Sequence, residues 1–503
     1  MNAHYPALLV TIPLLSGFVI SAAGWVNKRL CFYIAVVAVA ASAFSCIGVL
    51  LQVLEQGAVI YKLGGWDPPF GIAYHVDHLN GLVLVVVSIV ALVNLIATKR
   101  SVEEEFQEKV GPFYTLYVFM LTGLLGIVVT GDAFNLYVLL EITALSGYGL
   151  LGMGNNDRAT LSTLNYLYMG TIGACFYLLG VGYLYIVTGS LNMRDIARIL
   201  PALYGSKAVL AAFIICLVGV WAKMAFFPLH AWLPNAYTHA PSAASSLIAP
   251  LVTKVMIYVM IRLMLTIFTP AFTFSFVSVS TPIVWLAVVA IVMGALLALS
   301  TRNLKKMLTY IVVAEVGYMV GGAWLGNRIG MTGAILHIVN DALMTLCVFL
   351  AVGNIVYKIK DTGFENLQGL FRKMPFTMGA FVIGAMSIIG VPPTCGFFSK
   401  WYLISGGLQA GQYGFVAALL FSSLVSVVLF FRVFEIGFYE PFADHHGHSH
   451  PASQSHPQPM MDEAPVSMLV PLMVVTVGLV LVGMYTGDIV EHIIRFAIPN
   501  ALI

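Results

Sequence analysis

Six ionisable residues interrupt stretches that are otherwise apolar. They are Glu141 in NLYVLLEITALSGYGL, Lys223 in CLVGVWAKMAFF, Lys254 in LIAPLVTKVMIYVMIR, Glu315 in LTYIVVAEVGYMVGG, Asp341 in AILHIVNDALMTL and Lys400 in GFFSKW. His337 stands one helical turn before Asp341, and His239 stands just before the Lys254 stretch. An ionisable side chain at membrane depth costs roughly 2.5–3.5 kcal/mol on insertion scales. Burial favours the neutral form of such a group, and an adjacent opposite charge favours the charged form. A lysine whose partner moves or becomes protonated can therefore take up and release a proton. A histidine between such groups can carry it onward. One buried pair is commonly a structural ion pair. Six buried groups spread over six helices, with His239 and His337, point instead to a proton relay.

The elements that must position these groups are membrane helices. About 60% of the 503 residues are hydrophobic and 9% are charged, against roughly 25% charged in soluble domains. The formal net charge of +2 supplies no basic field for nucleic acid. A bilayer core of about 30 Å needs about 20 apolar residues per helix. By that ruler the expected spans are 5–25, 31–53, 78–98, 113–130, 133–152, 163–187, 207–228, 241–266, 281–299, 305–325, 330–357, 375–408, 412–437 and 467–488. The fold class is thus all-α and polytopic, a single integral membrane unit of about fourteen helices over residues 1–503. Glu315 lies ten residues beyond Lys305, about 15 Å into its span and near the midplane. The first apolar run lacks a basic leader and is read as a retained helix. Most loop lysines and arginines, among them Lys28, Arg29, Lys99, Arg100, Lys305, Lys306, Lys358 and Lys360, fall on one side when both termini are outside. Arg262, near the outer end of its span, is expected to reach the interface. Asp132, between two spans, is expected to cap a helix.

Two spans carry helix breakers. WAKMAFFPLHAWLP holds Pro228 and Pro234, and GVPPTCGFFSKW holds Pro392, Pro393 and Gly396. Backbone groups freed by proline must find protein or water, so such breaks lie inside the protein. Paired breaks in two halves of a chain mark transporter sites. They suggest two five-helix repeats, residues 113–266 (spans 4–8) and 281–437 (spans 9–13). The stretch 439–466 is rich in Pro, His and Ser and reads as a loop. Its His445, His446, His448 and His450 are the candidates for a metal, with a solvated linker as the plainer reading. The six cysteines occur singly, without C-x-x-C, and read as packing residues. No cluster or flavin site is visible, and no cofactor is expected.

These motifs resemble the antiporter-like membrane subunits shared by multisubunit Na+/H+ antiporters, respiratory complex I and membrane-bound hydrogenases. The resemblance covers about residues 75–490. It rests on GDAFNLYVLLEI, on KMAFFPLHAWLPNAYTHAPSAASSLIAPLVTKVMIYVMIR, on RNLKKMLTY, on MPFTMGAFVIGAMSIIGVPPTCGFFSKWYL and on EAPVSMLVPLMVV. It implies that the two repeats are inverted. It implies a Glu141–Lys223 pair at the start of a hydrated axis, continued by Lys254 and led to an exit by Lys400. It also implies other membrane subunits as partners, protons and Na+ as the transported ions, and a place in the cytoplasmic membrane. Two positions depart from the family's pattern. Thr345 stands where the family often has a relay lysine, and Glu315 where it often has a neutral polar residue. Glu315, with His337 and bound water, is the expected bridge across that gap; the alternative is an interrupted axis in a subunit that no longer conducts. Lys400 in its GFFSKW setting and EAPVSM look most like the D-type antiporter subunit. The membrane arm of a redox enzyme is the alternative.

Overall fold

The computed structural model describes residues 4–154, 157–439, 461–499 and 502. Runs of about 20 apolar residues can satisfy their backbone inside a bilayer only as helices. Twelve of the described helices are long and apolar enough to cross. They are Tyr5–Val26, Lys28–Gln56, His78–Ala97, Val110–Val129, Ala133–Gly152, Arg158–Thr188, Ser242–Ile267, Ser280–Leu299, Leu304–Trp324, Arg328–Ile359, Tyr413–Tyr439 and Val466–Met484. The two remaining expected spans are the two that hold the helix-breaking prolines, and each is a pair of shorter helices.

The first broken span runs as Lys207–Lys223 and then Trp232–His239. Ala225 takes a left-handed backbone at the break, with φ 57°. The Trp232 indole donates to the Ala222 carbonyl at 3.1 Å, beside the Ala225 amide, and so ties the second half-helix to the end of the first. The second runs as Pro375–Ile389 and then Cys395–Gln409. Gly390 ends its first half in the left-handed region at φ 95°, a conformation that costs glycine little. Both breaks therefore occur at the expected prolines. Asp132 caps the Ala133–Gly152 helix, accepting from the Asn135 amide at 2.7 Å.

One element departs from the helical expectation. Val59–Lys62 and Ala73–Val76 form an antiparallel hairpin with Val59 opposite Val76. Four-residue strands of β-branched and aromatic residues are too short to stand out beside long helices.

Three helices form the interior. Ser242–Ile267 is enclosed along its whole most apolar stretch, and Leu304–Trp324 and Arg328–Ile359 are enclosed almost as fully. A helix that is apolar all round belongs inside a protein or a membrane. These three carry Lys254, Glu315 and Asp341. The outer helices turn apolar side chains such as Val37, Leu179 and Leu424 outward. The Lys400 half-helix reaches the interior through small residues: a methyl at Gly406 would sit 2.5 Å from the Gly330 amide nitrogen. Only glycine at 406 permits that backbone approach.

Candidate functional site

The broken helix Lys207–Lys223 ends on Lys223, so its ammonium sits where helical hydrogen bonding stops. Its Nζ lies 4.0 Å from Glu141 Oε1, on the helix Ala133–Gly152. Lys223 is buried, whereas the Glu141 side chain keeps about a quarter of its surface (28%). Glu141 Oε1 accepts no hydrogen bond among the described residues. The two form a loose ion pair, with Glu141 Oε1 itself enclosed.

Lys254 and Asp341 form a tighter pair, Nζ to Oδ2 at 2.9 Å, with both side chains buried. Lys254 also donates to the Ala249 carbonyl at 3.2 Å and to Thr345 Oγ1 at 3.3 Å. The Thr345 hydroxyl in turn donates to Asp341 Oδ1 at 2.7 Å. Thr345 lies one turn beyond Asp341 on the same helix, so its hydroxyl reaches the carboxylate directly. The residue that departs from the family's lysine thus closes a triangle with Lys254 and Asp341.

Glu315 brings its carboxyl against that of Asp341. Both Glu315 oxygens are buried and find no donor among the described residues. Two carboxylates offer acceptors only. Their contact becomes a hydrogen bond when one proton lies between them, as in other close carboxyl pairs.

Lys400 stands on the second half of the other broken span. Its ammonium donates to the Ile388 carbonyl at 2.6 Å, to Ile389 at 3.2 Å and to Ser423 Oγ at 3.0 Å. The first two are carbonyls at the end of the preceding half-helix, so Lys400 fills the break itself. It also lies over the Tyr318 ring, 5.2 Å from its centre, at cation–π range. Tyr318 is one turn from Glu315, and its hydroxyl donates to Ser422 at 2.7 Å. His337 packs on Tyr318 with ring centres 5.6 Å apart. His337 Nδ1 is 2.8 Å from Ser399 Oγ, and its Nε2 is enclosed without a partner among the described residues. The interior therefore holds one contiguous cluster of Lys254, Thr345, Asp341, Glu315, Tyr318, His337 and Lys400.

His239 lies elsewhere. It ends the half-helix Trp232–His239 and lines a cavity of about 430 Å³ with Glu105, Lys305 and Lys360. Lys305, in its wall, donates to the Ala240 carbonyl at 2.6 Å. Closeness to Lys254 in sequence does not place His239 at the axis, because the chain turns at Ala240–Pro241 between them.

Arg262 is not a free charge at the end of its helix. It is buried and gives both terminal nitrogens to Asp77, at 2.6 and 2.7 Å. Burial alone would raise the Asp77 carboxyl, but the Arg262 guanidinium outweighs it and holds the group well below the usual carboxylate range. Asp77 was not among the expected site residues. An Asp before an apolar run reads as a helix cap, and it does cap His78–Ala97; its second role needs the tertiary fold.

Among the described residues no group of His, Cys, Asp and Glu is arranged to hold a metal. The candidates His445, His446, His448 and His450 lie outside the described residues.

The family described as "NADH:quinone oxidoreductase/Mrp antiporter, TM" matches residues 130–426. The chain is 40% identical over 503 residues to the N-type subunit of the NADH-quinone oxidoreductase of Desulforudis audaxviator, covering 99% of each. It is 29% identical over 434 residues to the D-type subunit of the Na(+)/H(+) antiporter of Bacillus subtilis, covering 86% of each. The archaeal membrane-bound sulfane sulfur reductase, a respiratory membrane complex, contains a chain of the same fold. The TM-score is 0.87 at 26% identity, covering 97% of this chain and 96% of that one. By its sequence the chain belongs to the NADH:quinone oxidoreductase/Mrp antiporter transmembrane family.

Proposed function

We propose that the chain is a proton-translocating subunit of a multisubunit membrane complex. The observation that carries this reading is the contiguous buried cluster from Lys254 to Lys400. Lys223 and Glu141 form the loading pair at one end. A proton on Lys254 passes to Asp341, assisted by the Thr345 hydroxyl. Glu315 shares that proton with Asp341 and hands it toward Lys400 past Tyr318 and His337. Glu315 thereby takes the place of the lysine that Thr345 replaces. Residues 113–266 and 281–437 serve as two inverted repeats, each contributing one broken helix and its lysine. The partners are other membrane subunits, as the names of the relatives describe for their own complexes.

We infer further that exchange with a monovalent cation, Na+, drives the relay. Lys400 in GFFSKW and the EAPVSM segment support this reading. A redox-driven complex is the second reading. It is favoured by the 40% identity to a quinone oxidoreductase chain over the whole length, against 29% to an antiporter chain. Everted vesicles holding the complex separate them. Acidification or alkalinisation on adding Na+ supports the antiporter; a pH change only on adding an electron donor supports the redox complex. Neither response in assembled complex would contradict translocation altogether.

A further inference from the structure

A cavity of about 480 Å³ opens where the helices Lys28–Gln56 and Val110–Val129 begin, on the side to which most loop lysines and arginines fall. Lys28, Arg29 and Lys99 line it, and Glu103 faces them. Glu103 answers Lys99, with Nζ 3.9 Å from Oε1. The Lys99 ammonium also lies 4.6 Å from the centre of the Phe32 ring and 5.1 Å from that of Tyr33, both in the cavity wall. The Lys28 and Arg29 side chains are exposed and find no hydrogen-bond or ionic partner among the described residues. They open a helix of 29 residues with no acidic residue in its first turn. A helix N-terminus carries partial positive charge and disfavours cations. Two cations thus stand where their own helix repels them, and an anion in the cavity relieves both. From the cavity, Leu30, Tyr33, Val37 and Phe44 expose apolar side chains at helical spacing, which makes one outward stripe. Tyr33 belongs to both the cavity wall and the stripe. Trp25, exposed at the end of the preceding helix, joins Tyr33 as an aromatic of the kind that sits at headgroup level.

We propose that this cavity binds the phosphate headgroup of an anionic phospholipid, with an acyl chain along the Leu30–Phe44 stripe. The Arg29 guanidinium can meet two phosphate oxygens at once, and Lys28 beside it adds a compact charge. Lys99, held over Phe32 and Tyr33, supplies a third charge that Glu103 offsets. A zwitterionic headgroup brings its own cation, which Lys28 and Arg29 repel, so the cavity selects for net negative charge. Basic pockets at the cytoplasmic ends of membrane helices suit such headgroups. The stripe argues for a lipid over an acidic peptide. It leads from the cavity into the apolar span, where an extended peptide would leave its backbone groups unpaired. The site is separate from the buried charges and does not rest on the translocation reading.

The test places the whole complex in phosphatidylcholine vesicles that contain a small fraction of phosphatidylglycerol with a photoactivatable acyl chain. Peptide mass spectrometry then reads which segment of this chain is labelled, at matched amounts of assembled complex. Residues 30–37 are expected to be labelled, and photoactivatable phosphatidylcholine to label them severalfold less. Lys28→Gln combined with Arg29→Gln is expected to cut the phosphatidylglycerol label to the phosphatidylcholine level. Arg29→Lys keeps the charge and loses the fork, so its label is expected to fall between. Lys62→Gln, which removes a cation outside the cavity, is expected to leave the label unchanged, as is an excess of inorganic phosphate. Equal labelling by the two lipids, or a label indifferent to the double variant, would overturn the site. Displacement by inorganic phosphate would assign the cavity to the free ion instead of a lipid. No label on residues 30–37 in the native complex would mean that a partner subunit covers this face, which would also overturn the proposal.

Discussion

At the residue scale, the buried Lys254–Asp341 pair makes the sharpest claims. Removing one partner leaves the other charged and enclosed, a loss of roughly 3–5 kcal/mol in buried pairs. Lys254→Met should therefore destabilise the complex more than Lys254→Met combined with Asp341→Leu, as thermal unfolding in detergent would show. Both should abolish driven proton flux. Glu315→Gln should assemble normally, since an amide can donate to Asp341, yet lose most of the flux because it carries no exchangeable acid proton. Full flux in Glu315→Gln would remove Glu315 from the path. The Asp77–Arg262 pair adds a pH dependence. The Asp77 carboxyl is held below its usual range in the folded state, so its contribution is present above the ordinary carboxylate pKa and is lost only as pH falls through the depressed value. The destabilisation by Asp77→Asn should be the same at pH 7 and pH 5 (values about one unit or more above a free carboxylate). A cost that had already vanished at pH 5 would contradict the pairing.

At the scale of elements, the two broken spans do the positioning. Each ends a helix inside the protein and places a lysine at the break: Lys223 as the last helical residue, and Lys400 against the carbonyls of Ile388 and Ile389. The prolines announced both breaks in the sequence, and the long apolar runs announced the helices. What the sequence hid was anything that depends on one helix meeting another. Thr345 read as a gap in the axis, because its contact with Lys254 on another helix appears only when the helices pack. Arg262 read as an interfacial arginine, because Asp77 lies far away in the chain. His239 read as part of the axis from its nearness to Lys254, but the turn at Ala240–Pro241 points it to the cavity with Glu105 and Lys305. The hairpin at 59–76 was too short to register. The approach of the Lys400 half-helix gives a test of its own. Gly406→Val puts atoms into the Gly330 backbone and should cost about 1–3 kcal/mol by overpacking. It should also lower flux by displacing Lys400, while Gly478→Ala, where a methyl meets nothing within 4 Å, should change neither.

At the scale of the whole molecule, the charges run through the interior while the outer helices present apolar faces. On the proposed reading the chain supplies the proton path, and the driver belongs to the other subunits of the complex. Purified alone into liposomes, the chain should show no Na+-driven and no donor-driven pH change. The relay is tested most directly by comparing native complex with Lys223→Ala in everted vesicles, supplying Na+ and then an electron donor. A proton relay through Lys223 should give a driven pH change with one of the two drivers in the native complex and lose it in the variant, with assembly intact. An unchanged response in Lys223→Ala would contradict the relay and leave the buried charges as structural ion pairs.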